Sequence, residues 1–162
     1  MNGSALIDAL SLMGLEASAV GNHEFDKGPA ELRRMQNGGC HPLDGCKGPH
    51  HFGGAGFRYL AASTVDEATG KTIFPPYTVK RFDGVPVAFI GLTLKGTPDI
   101  VAVSGTAGLA FKDEAETVNA LVPELRAQGI EAIVVLIHEG GAPAGDSADY
   151  NGDKAVIVKS KV

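Results

Sequence analysis

The run IEAIVVLI, residues 130–137, constrains the fold of this chain more than any other segment. Apart from Glu131, its residues are apolar and mostly β-branched, which is typical of a strand buried on both faces of a sheet. The run ends at His138, directly before a glycine-rich segment that lets backbone and ligand approach closely. A lone histidine after a strand is often only a rim residue. Because ligands bind beyond the carboxyl ends of strands in α/β sheets, however, His138 is a candidate functional residue.

The other segments complete the prediction of a mixed α/β (α+β layered) domain. Amphipathic spacing predicts helices over 2–14, 29–36 and 113–128. Alternating and β-branched patterns predict strands over 15–20, 57–63 and 77–93. Pro123 should kink or split the last helix, and Asp83-Gly84 should reverse the last strand as a hairpin. Residues 37–56 are rich in glycine and should form a long loop. With no internal repeat, residues 1–162 are expected to form one domain.

Polar side chains cluster directly after the strand predicted at 15–20. The segment SAVGNHEFDKG contains Asn22, His23, Glu24 and Asp26. Gly-Asn pairs and surface histidines do occur in ordinary turns, but no turn requires so many polar groups together. Amide oxygen and imidazole nitrogen both suit a divalent cation such as Zn²⁺ or Mn²⁺. Asp26 is close enough in sequence to orient the imidazole of His23. This segment therefore predicts a site for metal binding or catalysis.

The charge and hydropathy of the chain exclude two classes of partner. The formal net charge of −5 gives no basis for holding a nucleic-acid polymer, which relies on clustered Lys and Arg. No apolar run approaches the length of a membrane span. The start of the chain has no basic stretch followed by an apolar segment, so it carries no signal-peptide pattern.

Two cysteines lie in the glycine-rich loop, in the segment GGCHPLDGCKGPHH. A disulfide between Cys40 and Cys46 is favoured if the protein resides in an oxidising compartment. Free thiols are one alternative. The other is a zinc-binding module in which His41 and either His50 or His51 join the two cysteines, although the spacing matches no familiar zinc motif.

Three segments in this order, GNHEFDKG, FIGLTLKGTPDIV and AIVVLIHEGG, closely resemble one enzyme family. They are similar to the bacterial 5′-nucleotidase / 2′,3′-cyclic-nucleotide 2′-phosphodiesterase branch of the calcineurin-like metallophosphoesterases. The resemblance runs from the start of the chain to about residue 145. It implies a calcineurin-like α/β sandwich and hydrolysis of nucleoside 5′-monophosphates or cyclic nucleotides.

The resemblance also implies a role for individual residues. Asn22 and His138 match ligands of one of the family's two divalent metal ions, which could be Mn²⁺, Zn²⁺ or Co²⁺. His23 matches the catalytic histidine that stabilises the transition state or protonates the leaving oxygen, and Asp26 matches its orienting partner. Glu24 belongs to the motif without a clear role. In this family a metal-bound hydroxide attacks phosphorus while both cations neutralise the developing charge.

The chain departs from the family pattern in what it lacks. Family members carry Asp-x-His and Gly-Asp-x-x-x-Gly segments before the first helix seen here, and a Gly-His-x-His segment and a nucleotide-binding domain later. The resemblance thus implies an incomplete sandwich, a single partial catalytic domain that alone hydrolyses phosphate esters weakly or not at all. The alternative is a non-catalytic truncated domain that acts as a binding or assembly module.

Three smaller expectations follow from the same resemblance. A sheet without its leading strands exposes an edge, so a homo-oligomer formed through that edge is expected. Relatives are usually exported, which implies a periplasmic or cell-surface parent protein and agrees with a Cys40–Cys46 disulfide. Ser63 stands where relatives usually carry asparagine, a change that affects local hydrogen bonding.

Overall fold

The centre of the fold is a three-stranded sheet built from β4 (Tyr77–Phe82), β5 (Val85–Thr93) and β7 (Ala132–His138). The structure, a computed structural model, describes residues 3–46, 51–138, 142–143 and 155–156. β5 pairs with β7 in parallel, and this register ends at Thr93 opposite His138. β4 and β5 form the predicted hairpin, in which Asp83 and Gly84 have φ of 49° and 85°. Two successive left-handed residues characterise the tight turn that matches strand twist.

The described residues also form three further pairs of short strands. β1 (Ala17–Ala19) runs parallel to β2 (Arg58–Leu60) and lies against β5 and β7. The antiparallel pairs are β3 (Thr64–Asp66) with β6 (Leu109–Phe111), and β8 (Ala142–Pro143) with β9 (Ala155–Val156). The ends of β1, β5 and β7 therefore lie near one another, which is the arrangement that the sequence pattern requires for a site.

The helices of the described residues are α1 (Ser4–Leu12), α2 (Gly28–Asn37), α3 (Thr97–Ile100), α4 (Val103–Thr106) and α5 (Glu114–Ala127). Asp113 caps the start of α5, because its carboxylate accepts a hydrogen bond from the Glu116 amide. Of the two effects predicted for Pro123, a kink or a split of the helix, the split does not occur, because α5 is continuous from Glu114 to Ala127 with Pro123 inside it. Val118 and Leu125, on either side of the proline, are fully buried, and their packing holds the helix together there. No helix in the described part is long and apolar enough to cross a membrane.

The buried apolar side chains form two clusters. The first lies between α1, α2 and β2 and includes Ile7, Val20, Phe25, Leu32, Phe57, Tyr59, Ala61, Ile73, Phe74, Val101 and Leu109. The second packs α5 against β5 and includes Ala62, Ala88, Ile90, Leu92, Val118, Leu125 and Ile130. The first cluster lies beneath the polar segment that follows β1.

The structure corrects one prediction about β7 and adds elements that the sequence patterns missed. β7 is only partly buried: Val134 and Ile137, which lie on opposite faces of the strand, are 39% and 44% exposed, although Ile133 and Val135 pack on the second cluster. The missed elements are β3, β6, α3 and α4, each of three or four residues and so too short for a periodic pattern. The Glu139–Gly141 part of the third motif and His50 lie outside the described residues.

Candidate functional site

The site is built on a short 3-10 helix, Asn22–Phe25, that begins directly after β1. The amide of Gly21 donates a hydrogen bond of 2.8 Å to the Glu24 carboxylate, which fixes the start of this helix. Phe25 is fully buried and meets Phe111 edge to face, with ring centroids 5.2 Å apart. Because Phe25 anchors the segment in the first cluster, its polar side chains are held at the surface.

His23 and Asp26 form one polar pair on this segment. Nδ1 of His23 lies 3.1 Å from Oδ2 of Asp26, and the two side chains are 80% and 56% exposed. Since a carboxylate only accepts, Nδ1–H of His23 donates to Asp26, and Nε2 is left to face solvent. This contact orients the imidazole ring and leaves it largely exposed to solvent.

Asn22 and His138 form a second pair, between residues 116 apart in sequence. Nε2–H of His138 donates to Oδ1 of Asn22 over 2.8 Å. His138 reaches this position because it ends β7, while Asn22 follows the end of β1. The structure therefore brings together the two residues that the resemblance implies as ligands of one ion.

A buried hydrogen-bond network near this pair involves Ser63, which the sequence had singled out, and Thr93, which it had not. The Thr93 hydroxyl donates to the carbonyl of Val20 over 2.8 Å, which ties the end of β5 to the end of β1. Ser63 accepts from the Thr93 amide at 3.0 Å and donates to the Thr93 carbonyl at 3.1 Å. Both side chains are fully buried, so these hydrogen bonds hold the strand ends at a fixed distance. The sequence feature that could have indicated these hydrogen bonds is Thr93 itself, a threonine at the end of β5 and opposite His138 in the paired strand β7.

Because Gly21 has no side chain, the side chains of Glu24 and His138 can lie close to its backbone. A Cβ atom at this position would lie 2.8 Å from Oε2 of Glu24 and 3.0 Å from Nδ1 of His138. The backbone here is extended, with φ of −92°, so steric closeness and not backbone conformation favours glycine.

The Asn22–His138 pair fits a divalent cation. Two ligand atoms about 2.1 Å from one ion lie roughly 3 Å apart in octahedral geometry, close to the 2.8 Å seen here. A cation binding both atoms would replace the Nε2 proton of His138. Within residues 3–46 and 51–138, no group of three or more His, Cys, Asp or Glu side chains converges here. The one such group is Cys40, Cys46 and His51, in the glycine-rich loop.

A cavity of about 320 Å³ opens beside the His23–Asp26 pair, between α1 and the 3-10 helix. Its apolar side includes Leu6, Leu10 and Tyr59. Burial, and then the charge of Glu24, raise the pKa of Tyr59 to about 12, so the phenol stays neutral. The charged lining consists of three carboxylates and one lysine: Glu24, Asp26, Glu31 and Lys27. Such a surface binds a phosphate only when cations offset its charge.

Comparison with curated proteins gives two informative relatives. The chain is 38% identical over 148 residues to endonuclease YhcR of Bacillus subtilis, covering 88% of this chain and 12% of that protein. It is 31% identical over 138 residues to a 5′-nucleotidase of Vibrio cholerae, covering 85% of this chain and 22% of that protein. The chain therefore spans less than a quarter of the length of either relative. No protein-family profile matches it.

Solved structures give the same result. The chain superposes on the 5′-nucleotidase precursor of Thermus thermophilus with a TM-score of 0.67 and 32% identity, covering 84% of this chain and 24% of that one. The chain is a homologue of the 5′-nucleotidases. Its fold also matches the calcineurin-like phosphoesterase YfkN of Bacillus subtilis, with a TM-score of 0.66 and 21% identity over 88% of this chain and 40% of that one. The predicted family resemblance and fold class are confirmed.

Proposed function

We propose that this chain carries the catalytic histidine and one metal-ligand pair of a phosphohydrolase site that acts on nucleoside 5′-monophosphates or cyclic nucleotides. The single observation that supports this most strongly is the 2.8 Å contact between Nε2 of His138 and Oδ1 of Asn22. This contact joins an amide oxygen and an imidazole nitrogen, both of which are metal-ligand types, and Asn22 is next to His23 in the sequence. The kinship with 5′-nucleotidases supplies the reaction class.

Each residue of the proposed site has its own role in phosphate-ester hydrolysis. Asn22 and His138 would hold one divalent cation, of which Mn²⁺, Zn²⁺ and Co²⁺ all suit an amide oxygen and an imidazole. Asp26 holds Nδ1–H of His23, so Nε2 of His23 can carry the proton that passes to the leaving oxygen. The bound cations would neutralise phosphate charge and activate the attacking water. The carboxylates around the cavity make this neutralisation necessary.

Two properties of the parent protein belong to the same proposal. A periplasmic or cell-surface location is supported by the Cys40–Cys46 disulfide, a bond that persists in oxidising compartments. Assembly into a homo-oligomer through the β7 side of the sheet is supported by the exposed side chains of Val134 and Ile137. The net charge of −5 favours a mononucleotide over a polymer, although one relative is an endonuclease.

The test compares the 162-residue chain with a version extended by the leading and trailing metal-ligand segments of a 5′-nucleotidase. Hydrolysis of AMP and of 2′,3′-cyclic AMP is measured with Mn²⁺, Zn²⁺ or Co²⁺, and metal content is determined alongside. The 162-residue chain should hydrolyse these nucleotides slowly, because it supplies two recognisable metal ligands, whereas each ion requires about four. In the extended chain, His23→Ala should lower kcat by about 10²–10⁴-fold.

His41→Ala is the matched control, since His41 belongs to the glycine-rich loop and neither lines the cavity nor joins the Asn22–His138 contact, so its loss should leave kcat unchanged. An extended chain that hydrolyses AMP equally well with and without His23 would refute the proposed role. Comparable turnover by the short and extended chains would refute the ligand-count argument. Metal-dependent nucleotide binding without hydrolysis by the extended chain would instead support the alternative, a non-catalytic binding or assembly module.

A further inference from the structure

The glycine-rich loop holds a second cluster of metal-ligand types that the proposed function does not use. Within it, Cys40 and Cys46 form a disulfide with Cα atoms 4.5 Å apart, as the sequence favoured. Nε2 of His51 lies 3.4 Å from Sγ of Cys40. The three ligand atoms all lie within 4.8 Å of one another, and all three residues are exposed. The cluster is thus accessible to both a reductant and a metal ion.

A backbone hydrogen bond between the residues next to His51 and Cys40 brings these two side chains together. The amide of Gly39 donates to the carbonyl of Phe52 over 2.9 Å, so the residues next to each of them, Cys40 and His51, are neighbours. Arg34 reinforces this closure, because its Nη1 donates to the Gly39 carbonyl over 2.8 Å and its guanidinium lies 5.5 Å from the Phe52 ring centroid.

Cys46 is positioned by a separate pair of hydrogen bonds. The amide of His41 donates to the carbonyl of Gly45 over 3.2 Å, and the amide of Gly45 donates to the carbonyl of His41 over 2.9 Å. Cys40 precedes His41 and Cys46 follows Gly45, so the two cysteines lie on either side of the turn that these hydrogen bonds close. Opening the disulfide therefore leaves the backbone arrangement that presents both sulfur atoms on the side of His51.

We propose that Cys40, Cys46 and His51 bind one zinc ion when the Cys40–Cys46 disulfide is reduced. A dithiol supplies the two electrons and two protons: the S–S bond breaks, two thiols form, and the dithiol becomes a disulfide. Zinc then displaces the two thiol protons and takes the Nε2 lone pair of His51. Ligand atoms on one tetrahedral zinc lie about 3.6 Å apart, which is near the 3.4 Å between Sγ of Cys40 and Nε2 of His51.

The fourth coordination position is open to water, as in zinc sites with three protein ligands. In the oxidised protein the sulfur atoms are bonded to each other and cannot bind the ion. The loop would thus bind a soft, thiolate-preferring cation only in its dithiol state. This site shares no residue with the Asn22–His138 pair, so it is independent of the proposed hydrolase function.

The experiment uses Co²⁺ in place of Zn²⁺, because thiolate ligands give Co²⁺ a charge-transfer band that amide and imidazole ligands do not. The 162-residue protein is titrated with Co²⁺ in its oxidised form, and again after dithiothreitol treatment and anaerobic removal of the reagent. Far-UV circular dichroism checks that the reduced protein remains folded. Addition of Zn²⁺ then tests displacement of the bound Co²⁺.

We expect the band in the reduced protein alone, saturating at a single ion per chain and bleached by Zn²⁺. Cys46→Ala should abolish the band, and His51→Ala should weaken Co²⁺ binding at least about tenfold. His138→Ala is the matched control and should leave the band unchanged. A reduced, folded protein without the band would overturn the proposal, as would unfolding on reduction. A His51→Ala variant that binds Co²⁺ as tightly as the unsubstituted chain would overturn the role of His51.

Discussion

Gly21→Ala tests whether close packing at the end of β1 keeps Asn22 beside His138. The backbone of Gly21 has φ of −92° and ψ of 179°, a conformation that alanine adopts without strain. The added Cβ would lie 2.8 Å from Oε2 of Glu24, and 3.0 Å and 3.1 Å from Nδ1 and Cγ of His138. Since these separations are shorter than van der Waals contact, both neighbouring side chains must move.

The expected loss of stability follows from what each neighbour gives up. The Glu24 side chain can adopt another rotamer, but it then loses the 2.8 Å hydrogen bond from the Gly21 amide. A hydrogen bond to a charged acceptor contributes about 1.5–3 kcal/mol to the free energy of unfolding. The reduced entropy of the unfolded chain offsets about 0.4–1 kcal/mol. We therefore expect the free energy of unfolding to fall by about 1–2 kcal/mol. Retreat of the His138 ring lengthens its contact with Asn22, so divalent-metal affinity should fall about tenfold.

Urea denaturation and calorimetric titration with Mn²⁺ measure the two effects. Gly53→Ala is the matched control, because a Cβ at Gly53 meets no atom within 4 Å. Glu24→Ala separates the two causes: it removes the same hydrogen bond without pressing on His138, so it should lower stability and leave metal affinity unchanged. A Gly21→Ala protein with unaltered stability and metal affinity would refute the inference that this contact positions His138.

Two further predictions concern other polar contacts. Thr93→Val should lower the free energy of unfolding by about 1–3 kcal/mol in urea, because the Val20 carbonyl loses its donor; an equal loss in Thr93→Ser would contradict this. Glu31→Gln should cost about 1–2 kcal/mol near neutral pH, because the hydrogen bonds from Arg34 hold the pKa of Glu31 below its usual value. This contribution is present above the unfolded-state pKa and is lost as pH falls through the lowered folded-state pKa, so a difference between the two proteins that does not shrink as the pH is lowered would refute it.

The grouping of polar side chains after β1 was easier to predict from the sequence than the sheet beside it, for a physical reason. Asn22, His23 and Asp26 act within one turn of chain, so their grouping is visible in the sequence and the 3-10 helix preserves it. The hairpin at Asp83-Gly84 is local in the same sense, because the turn conformation is set by the two residues themselves.

Features that depend on distant partners were not predictable. The exposure of Val134 follows from what packs on each face of β7, and an apolar run alone does not specify that. The continuity of α5 through Pro123 follows from tertiary packing that outweighs the intrinsic penalty of a proline. Thr93 resembles any strand threonine until the Val20 carbonyl is found opposite its hydroxyl.

The separation of Asn22 and His138 by 116 residues has a consequence for how the protein is made. Synthesis proceeds from the amino terminus, so Asn22 leaves the ribosome long before His138 exists. Closing so long a segment carries an entropic penalty that is recovered only after the parallel pairing of β5 and β7 is complete. The nascent chain therefore carries Asn22 without its partner, and the proposed ligand pair forms only after β7 has been synthesised and has paired with β5. Cations encountered during translation meet no preformed pair.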